Sequence, residues 1–401
     1  MTVQVQNSTE PPLQEEPIQQ QRLYYLDWLR VLAILGVVYA HTAEIFDTFY
    51  WHMRQAGHSV VWDALGTFGA RWGVTVFFLL AGASACFALR TKTNRQFISE
   101  RFKRLLIPFI VAFMLLAPIQ AYLMALIRSS YHGNLLQFFP YFFENMHIGW
   151  DLTWLSIYSY HLWFLAYLFA ISMVALPLLR YLKKERGVHF IVWLAALCNK
   201  PVGLFVFVLP IMLIQIILYM PLPGYPGWVD FFSWIFIFVY GFIILSNTRF
   251  ATAIRKQGKY FLCILIICIL TLLITNSTGV FGNWKQATGY SAGYLFSRFL
   301  SSIIIWSIIV SALYLSMRFL NFGNKVLRYA NEAILPVFIL HPAVILLISF
   351  YVLPLNLDSG VKYLIVSTAA LIATLGIYEL LIRRFKVLRW LFGLKATGRA
   401  G

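Results

Sequence analysis

Charge is what this 401-residue chain has least of: 12% of its residues are Asp, Glu, Lys or Arg, against 60% hydrophobic and 17% aromatic. A soluble fold of this length could not keep so much apolar surface from water, which leaves an all-α polytopic membrane protein. Acidic residues are scarcer still, 15 against 32 Lys and Arg, giving a formal net charge of +17. The four cysteines, Cys86, Cys198, Cys263 and Cys268, lie in or beside apolar runs. None stands at metal-ligand spacing from a His or another Cys, so they suggest no metal site and allow no redox inference. No internal repeat of solenoid or inverted-transporter period is visible. Residues 1–23, rich in Gln, Pro and Glu, lack the basic start and small-residue cleavage site of a secretory signal and read as a disordered tail.

At about 20 residues per crossing, ten spans are expected, near 26–46, 72–89, 105–127, 156–179, 202–220, 231–246, 260–275, 296–316, 330–352 and 362–382. The run 188–198 is too short to cross and reads as a buried or interfacial helix. Basic residues then fall in alternate connections: Arg90, Lys92, Arg95, Arg101, Lys103 and Arg104 in the first, and Arg180, Lys183, Lys184 and Arg186 in the next. Arg249 to Lys259, Arg318 to Arg328, and Arg383 to Arg399 continue the series. That alternation puts both termini in the cytoplasm, in keeping with an even number of spans. The high net charge is thus a topology signal, and a nucleic-acid partner is not expected. The domains expected are a tail over 1–23, a membrane domain over 24–385 and a basic cytoplasmic tail over 386–401.

The first span, "YYLDWLRVLAILGVVYAHT", carries three ionisable residues. On an α-helix Arg30 and His41 return to within about 20° of each other, some 16 Å apart along the axis. Asp27 and Glu44 flank that direction at about +60° and −40°, and Tyr39 lies opposite. A charged residue at the bilayer centre costs about 2.5 to 3.5 kcal/mol on insertion scales, so an aligned stripe should face a protein-lined cavity. His near its ordinary pKa suits proton transfer from a hydroxyl, and Arg suits phosphate.

These residues resemble the acyltransferase 3 family of membrane acyltransferases, whose first helix carries an Arg, ten residues, then a His; here they are Arg30 and His41, preceded by "LDWLR". "VTVFFLLAGASACFAL" (74–89) resembles the family's second-helix motif, and "RFKRLLIP" (101–108) its cytoplasmic Arg-x-x-Arg motif. "HLWFLAYLF" (161–169) and "ILPVFILHP" (334–342) resemble its His-Leu-Trp and late-helix His motifs. Together they cover about residues 22–385. "YYLDWLR" and "HLWFL" look most like the glucan-succinylating, glucan biosynthesis protein C-like branch.

The resemblance implies transfer of a small acyl group, acetyl or succinyl, from cytoplasmic acyl-CoA to a hydroxyl of a cell-envelope carbohydrate or glycolipid, by an enzyme of the plasma (inner) membrane. It assigns Arg101, Arg104 and neighbouring Lys103 to the donor, with Arg30. Arg101 and Arg104, three apart, are expected on one helical face. His41 is expected to be the general base, although an acyl-histidine intermediate is also open to an imidazole. No cofactor is required, because a thioester is already activated. His161 and Trp163 are candidates for the acceptor site, or simply members of an interfacial aromatic belt. His341, between Pro336 and Pro342, is a midplane functional candidate, and Asp27 and Glu44 are candidate orienting groups or boundary charges. Arg71 and Arg298 are lesser candidates. The rival reading is a proton-coupled transporter or flippase of an envelope precursor, which would also use an intramembrane ionisable stripe.

Overall fold

A computed structural model of the chain describes residues 22–46, 73–127, 130–278 and 289–395, with isolated positions between 62 and 69. All but the last two residues of the expected N-terminal tail lie outside the described residues, as do Arg71 and much of the connections 47–71 and 276–295. The described residues form helices and no strands. In hydrocarbon every backbone polar group must be satisfied internally, and a helix does this within one segment.

Among the described residues, eight helices are long and apolar enough to cross a membrane. In chain order, α1 is Tyr24–Ala43, α2 Val74–Thr91, α3 Asn94–Leu126 and α5 Thr153–Leu182. Further along, α8 is Trp228–Ser246, α10 Ala292–Phe319, α11 Lys325–Val352 and α12 Ser359–Ile382. The other two expected spans also fall on helices: 202–220 on the shorter α7, Gly203–Leu218, and 260–275 within the 31-residue α9, Thr248–Thr278. Polar side chains set several starts, such as Thr93 and Gln96 in a capping box before α3 and the Asn324 side chain accepting from Leu327 N–H at 2.7 Å before α11.

The run 188–198 belongs to α6, Glu185–Cys198. Ile191, Leu194, Ala195 and Cys198 are buried on it, while Phe190 and Trp193 are exposed. Its far end is tied to the start of α9, where Asn199 Nδ2 donates to the Arg249 carbonyl and Gln257 Nε2 to that of Cys198. Both ends therefore lie on the basic side, and α6 runs along that surface. On the opposite side, α4, Leu135–Glu144, seats Phe138 and Phe142 against Ala117 and Tyr160.

The tightest crossing joins α2 to α8. A Cβ on Gly82 would fall 1.8 Å from the Phe238 carbonyl oxygen, and one on Gly241 2.0 Å from that of Leu79. Only glycine lets two backbones approach so closely, and in a membrane such contact replaces the hydrophobic drive that lipid removes. The C-terminal region expected to be a tail is partly folded: α13, Lys386–Leu391, carries Arg389 with its side chain only 7% exposed, paired to Glu332 at 2.8 Å.

Candidate active site

The polar stripe of α1 points inward. Asp27 accepts from Arg22 at 2.7 Å and from Arg30 Nη1 at 3.0 Å, while Arg30 Nη2 donates to Ser84 Oγ of α2 at 2.6 Å. Trp28 Nε1 donates to the Phe322 carbonyl and anchors this end of α1 to the α10–α11 connection. Arg30 is thus aimed and partly neutralised before any ligand arrives. Ile34 and Val37, between Arg30 and His41, are buried, whereas Leu32 and Tyr39 on the other side are exposed.

Three turns further on, His41 Nδ1 donates to Glu44 Oε2 at 2.8 Å. A carboxylate can only accept, so this bond places the proton on Nδ1 and leaves Nε2 as the basic nitrogen when the ring is neutral. Glu44 has the geometry of a group that orients a catalytic imidazole.

Two other helices bring imidazoles to the same place. Ring centroids of His41 and His341 are 5.3 Å apart, those of His161 and His341 5.2 Å, and those of His41 and His161 6.5 Å. His341 is wholly buried, and its Nδ1 donates to the carbonyls of Phe338 at 2.8 Å and Val337 at 3.0 Å. Pro342 explains the first of these bonds. It has no N–H to give to the carbonyl four residues back, so Phe338 O is left for the imidazole. His341 Nε2, its proton-accepting nitrogen, is buried without a hydrogen-bond partner among the described residues.

His161 lies in a 3-10 turn, Tyr160–Leu162, that interrupts α5. Its Nε2 donates to the Ile339 carbonyl at 3.2 Å. Tyr160 just before it holds φ at +50°, a conformation that costs a non-glycine residue on the order of 1 to 3 kcal/mol and often marks functional sites. His161 is only 3% exposed, so the interfacial-belt alternative does not describe it. Nor does it describe Trp163, which is buried and stacks on Trp234 with centroids 5.2 Å apart and planes 15° apart. Arg298 is held over the Tyr219 ring at 4.0 Å.

The basic connection is not a plain α-helix. A π-helical turn, Phe102–Leu106, follows Arg101 and changes the angular step. Arg101 lies over the Phe97 ring at 5.0 Å and within electrostatic reach of Arg30. Arg104 instead approaches Glu100 at 3.7 Å and, with Arg95 and Lys103, lines a surface cavity of about 570 Å³. Glu100 is also paired with Lys92. Arg104 thus lines the cavity, while Arg101 stands within electrostatic reach of both Arg104 and Arg30. Ser84 is the site residue that sequence reasoning passed over, because nothing in "AGASACF" distinguishes it from its small neighbours.

The site as built gathers three imidazoles from three helices, with Arg30 on the same stripe as His41 and a basic surface cavity lined by Arg95, Lys103 and Arg104. The chain matches the acyltransferase domain of the acyltransferase 3 family over residues 23–379, and it belongs to that family. It is a multi-pass membrane acyltransferase. Searches of curated proteins and of solved structures returned no match.

Proposed function

We propose that the protein transfers a small acyl group, acetyl or succinyl, from cytoplasmic acyl-CoA to a hydroxyl of an envelope carbohydrate or glycolipid in the plasma (inner) membrane. The observation that carries this reading is His41, oriented by Glu44 and facing the imidazoles of His161 and His341 on the same inward stripe as Arg30.

In this mechanism His41 Nε2 takes the proton of the acceptor hydroxyl as its oxygen attacks the thioester carbonyl carbon. The tetrahedral intermediate expels the CoA sulfur, the C–S bond breaks, and the His41 imidazolium returns the proton to give free CoA thiol and the new ester. Glu44 stabilises the imidazolium that forms in between. Arg30 and Arg101 draw the anionic donor along the stripe, with Lys103 and Arg104 at the outer end of its path. His161 and His341, their positions fixed by the Ile339 and Phe338 carbonyls, stand beside the base and help to hold the acceptor through its neighbouring hydroxyls. A thioester needs no further activation, so the residues named suffice without a metal or prosthetic group. Purified protein should release CoA thiol from acetyl- or succinyl-CoA in the presence of a carbohydrate acceptor. Substrate flux into proteoliposomes without CoA would instead favour transport.

A further inference from the structure

The cavity beside Arg104 has a second wall that belongs to no part of the matched family domain, which ends at residue 379. Trp390, Gly393, Leu394 and Lys395 form it, and Arg95, Lys103 and Arg104 line the same cavity. We propose that this C-terminal wall, residues 386–395, completes the site for the nucleotide end of the donor: Trp390 is the platform for the purine, and Lys395 with Arg95, Lys103 and Arg104 binds its phosphates. This inference rests on the reading of acyl-CoA as donor.

The wall is built in rather than lying loosely on the surface. Arg389 ties it down through Glu332 of α11 at 2.8 Å, the Lys395 carbonyl at 2.9 Å and the Arg383 carbonyl at 3.5 Å. Gly393, at φ +70°, turns the chain back, and a Cβ there would lie 2.8 Å from Leu335 Cδ2 and 2.9 Å from the Arg104 carbonyl. The backbone of the wall thus packs against the cytoplasmic ends of α3 and α11, while Trp390 keeps 45% of its surface exposed. Four cations stand at the cavity with one carboxylate, Glu100, which is already engaged by Lys92 and Arg104. Such a balance suits a ligand with several phosphate charges, and about 570 Å³ lies in the usual range for small-molecule sites. An exposed indole beside the cations adds a stacking surface that a simple phosphate would not use.

Phosphate chemistry is shared by an anionic lipid headgroup, so the test separates the two. Adenosine 3′,5′-bisphosphate is titrated against the full-length protein in nanodiscs of zwitterionic or of anionic lipid, for wild type, Trp390→Leu, Lys395→Gln and His41→Ala. Both substitutions leave the Arg389 contacts in place, because Lys395 contributes its backbone carbonyl to them. Wild type and His41→Ala are expected to bind the nucleotide equally. Trp390→Leu and Lys395→Gln should each weaken it at least fivefold with an unchanged melting temperature, and raise KM for acyl-CoA with little change in kcat. Unaltered nucleotide binding in both variants would overturn the inference, as would wild-type protein that binds no nucleotide or that exchanges it for anionic lipid without loss in the Trp390→Leu variant. Failure of the acyl-CoA reading would look different: nucleotide bound by wild type, with no acyl transfer from any CoA thioester.

Discussion

At the residue scale, the chemistry turns on which nitrogen of each imidazole carries a proton. His41 has Nδ1 bound to Glu44, His341 has Nδ1 bound to Phe338 and Val337, and His161 has Nε2 bound to Ile339. All four partners are acceptors, so each ring is set by a fixed neighbour, and His341 Nε2 is left to accept a proton. Glu44→Gln removes the charge that stabilises the His41 imidazolium, and kcat should fall at least about tenfold, within the range general-base catalysis supplies, with the protein still folded. His341→Asn keeps an N–H for the Phe338 carbonyl and loses the second nitrogen, so activity should drop while the melting temperature holds. His341→Ala leaves that carbonyl without its side-chain donor and should cost about 1 to 3 kcal/mol of stability as well. Steady-state kinetics and thermal unfolding of the pair separate the two roles. The stripe itself was legible in the sequence, since Arg30 and His41 sit at helical spacing. Glu44's bond to His41 follows from the same periodicity at i, i+3. The imidazole cluster was not legible, because His161 and His341 reach His41 only through contacts between three helices, and no one-dimensional pattern encodes which helices meet.

At the scale of elements, irregularities in the helices do the positioning. Pro342 frees a carbonyl for His341, the 3-10 turn at Tyr160–Leu162 swings His161 inward, and a π-helical turn resets the step from Arg101 to Arg104. Pro342→Ala would give Phe338 back a backbone donor in competition with His341. The melting temperature should stay level or rise while kcat falls; unchanged kcat would remove the proline from the mechanism. At the α2–α8 crossing, Gly82→Leu or Gly241→Leu must force the helices apart, and should sharply reduce the folded protein recovered in detergent. Helix existence was readable from apolar length, and all ten expected spans fall on helices. Spacing alone could not foresee that the step from Arg101 to Arg104 runs through a π-turn rather than an α-helical one. The folded C-terminal wall also escaped, since a short basic stretch with one Trp carries too little apolar length to announce a helix.

Over the whole molecule, basic connections gather on one side and the imidazole cluster lies about three helical turns inward from Arg30; on the proposed mechanism, donor and acceptor approach from different directions. Single cysteines at Lys184 and His147 should react with a membrane-impermeant reagent from opposite sides of sealed vesicles, consistent with the alternation of charge. On the proposed mechanism the cavity and the base serve one reaction, and His41 is the point where the two substrates meet. Release of CoA thiol by purified protein, given acetyl- or succinyl-CoA and envelope carbohydrate, tests that claim most directly when wild type is compared with His41→Ala. The mechanism requires thiol release with matching acylation of the carbohydrate by wild type, and a fall of about 10² to 10⁴ in His41→Ala of equal melting temperature. A folded His41→Ala protein that transfers acyl groups at the wild-type rate would contradict it.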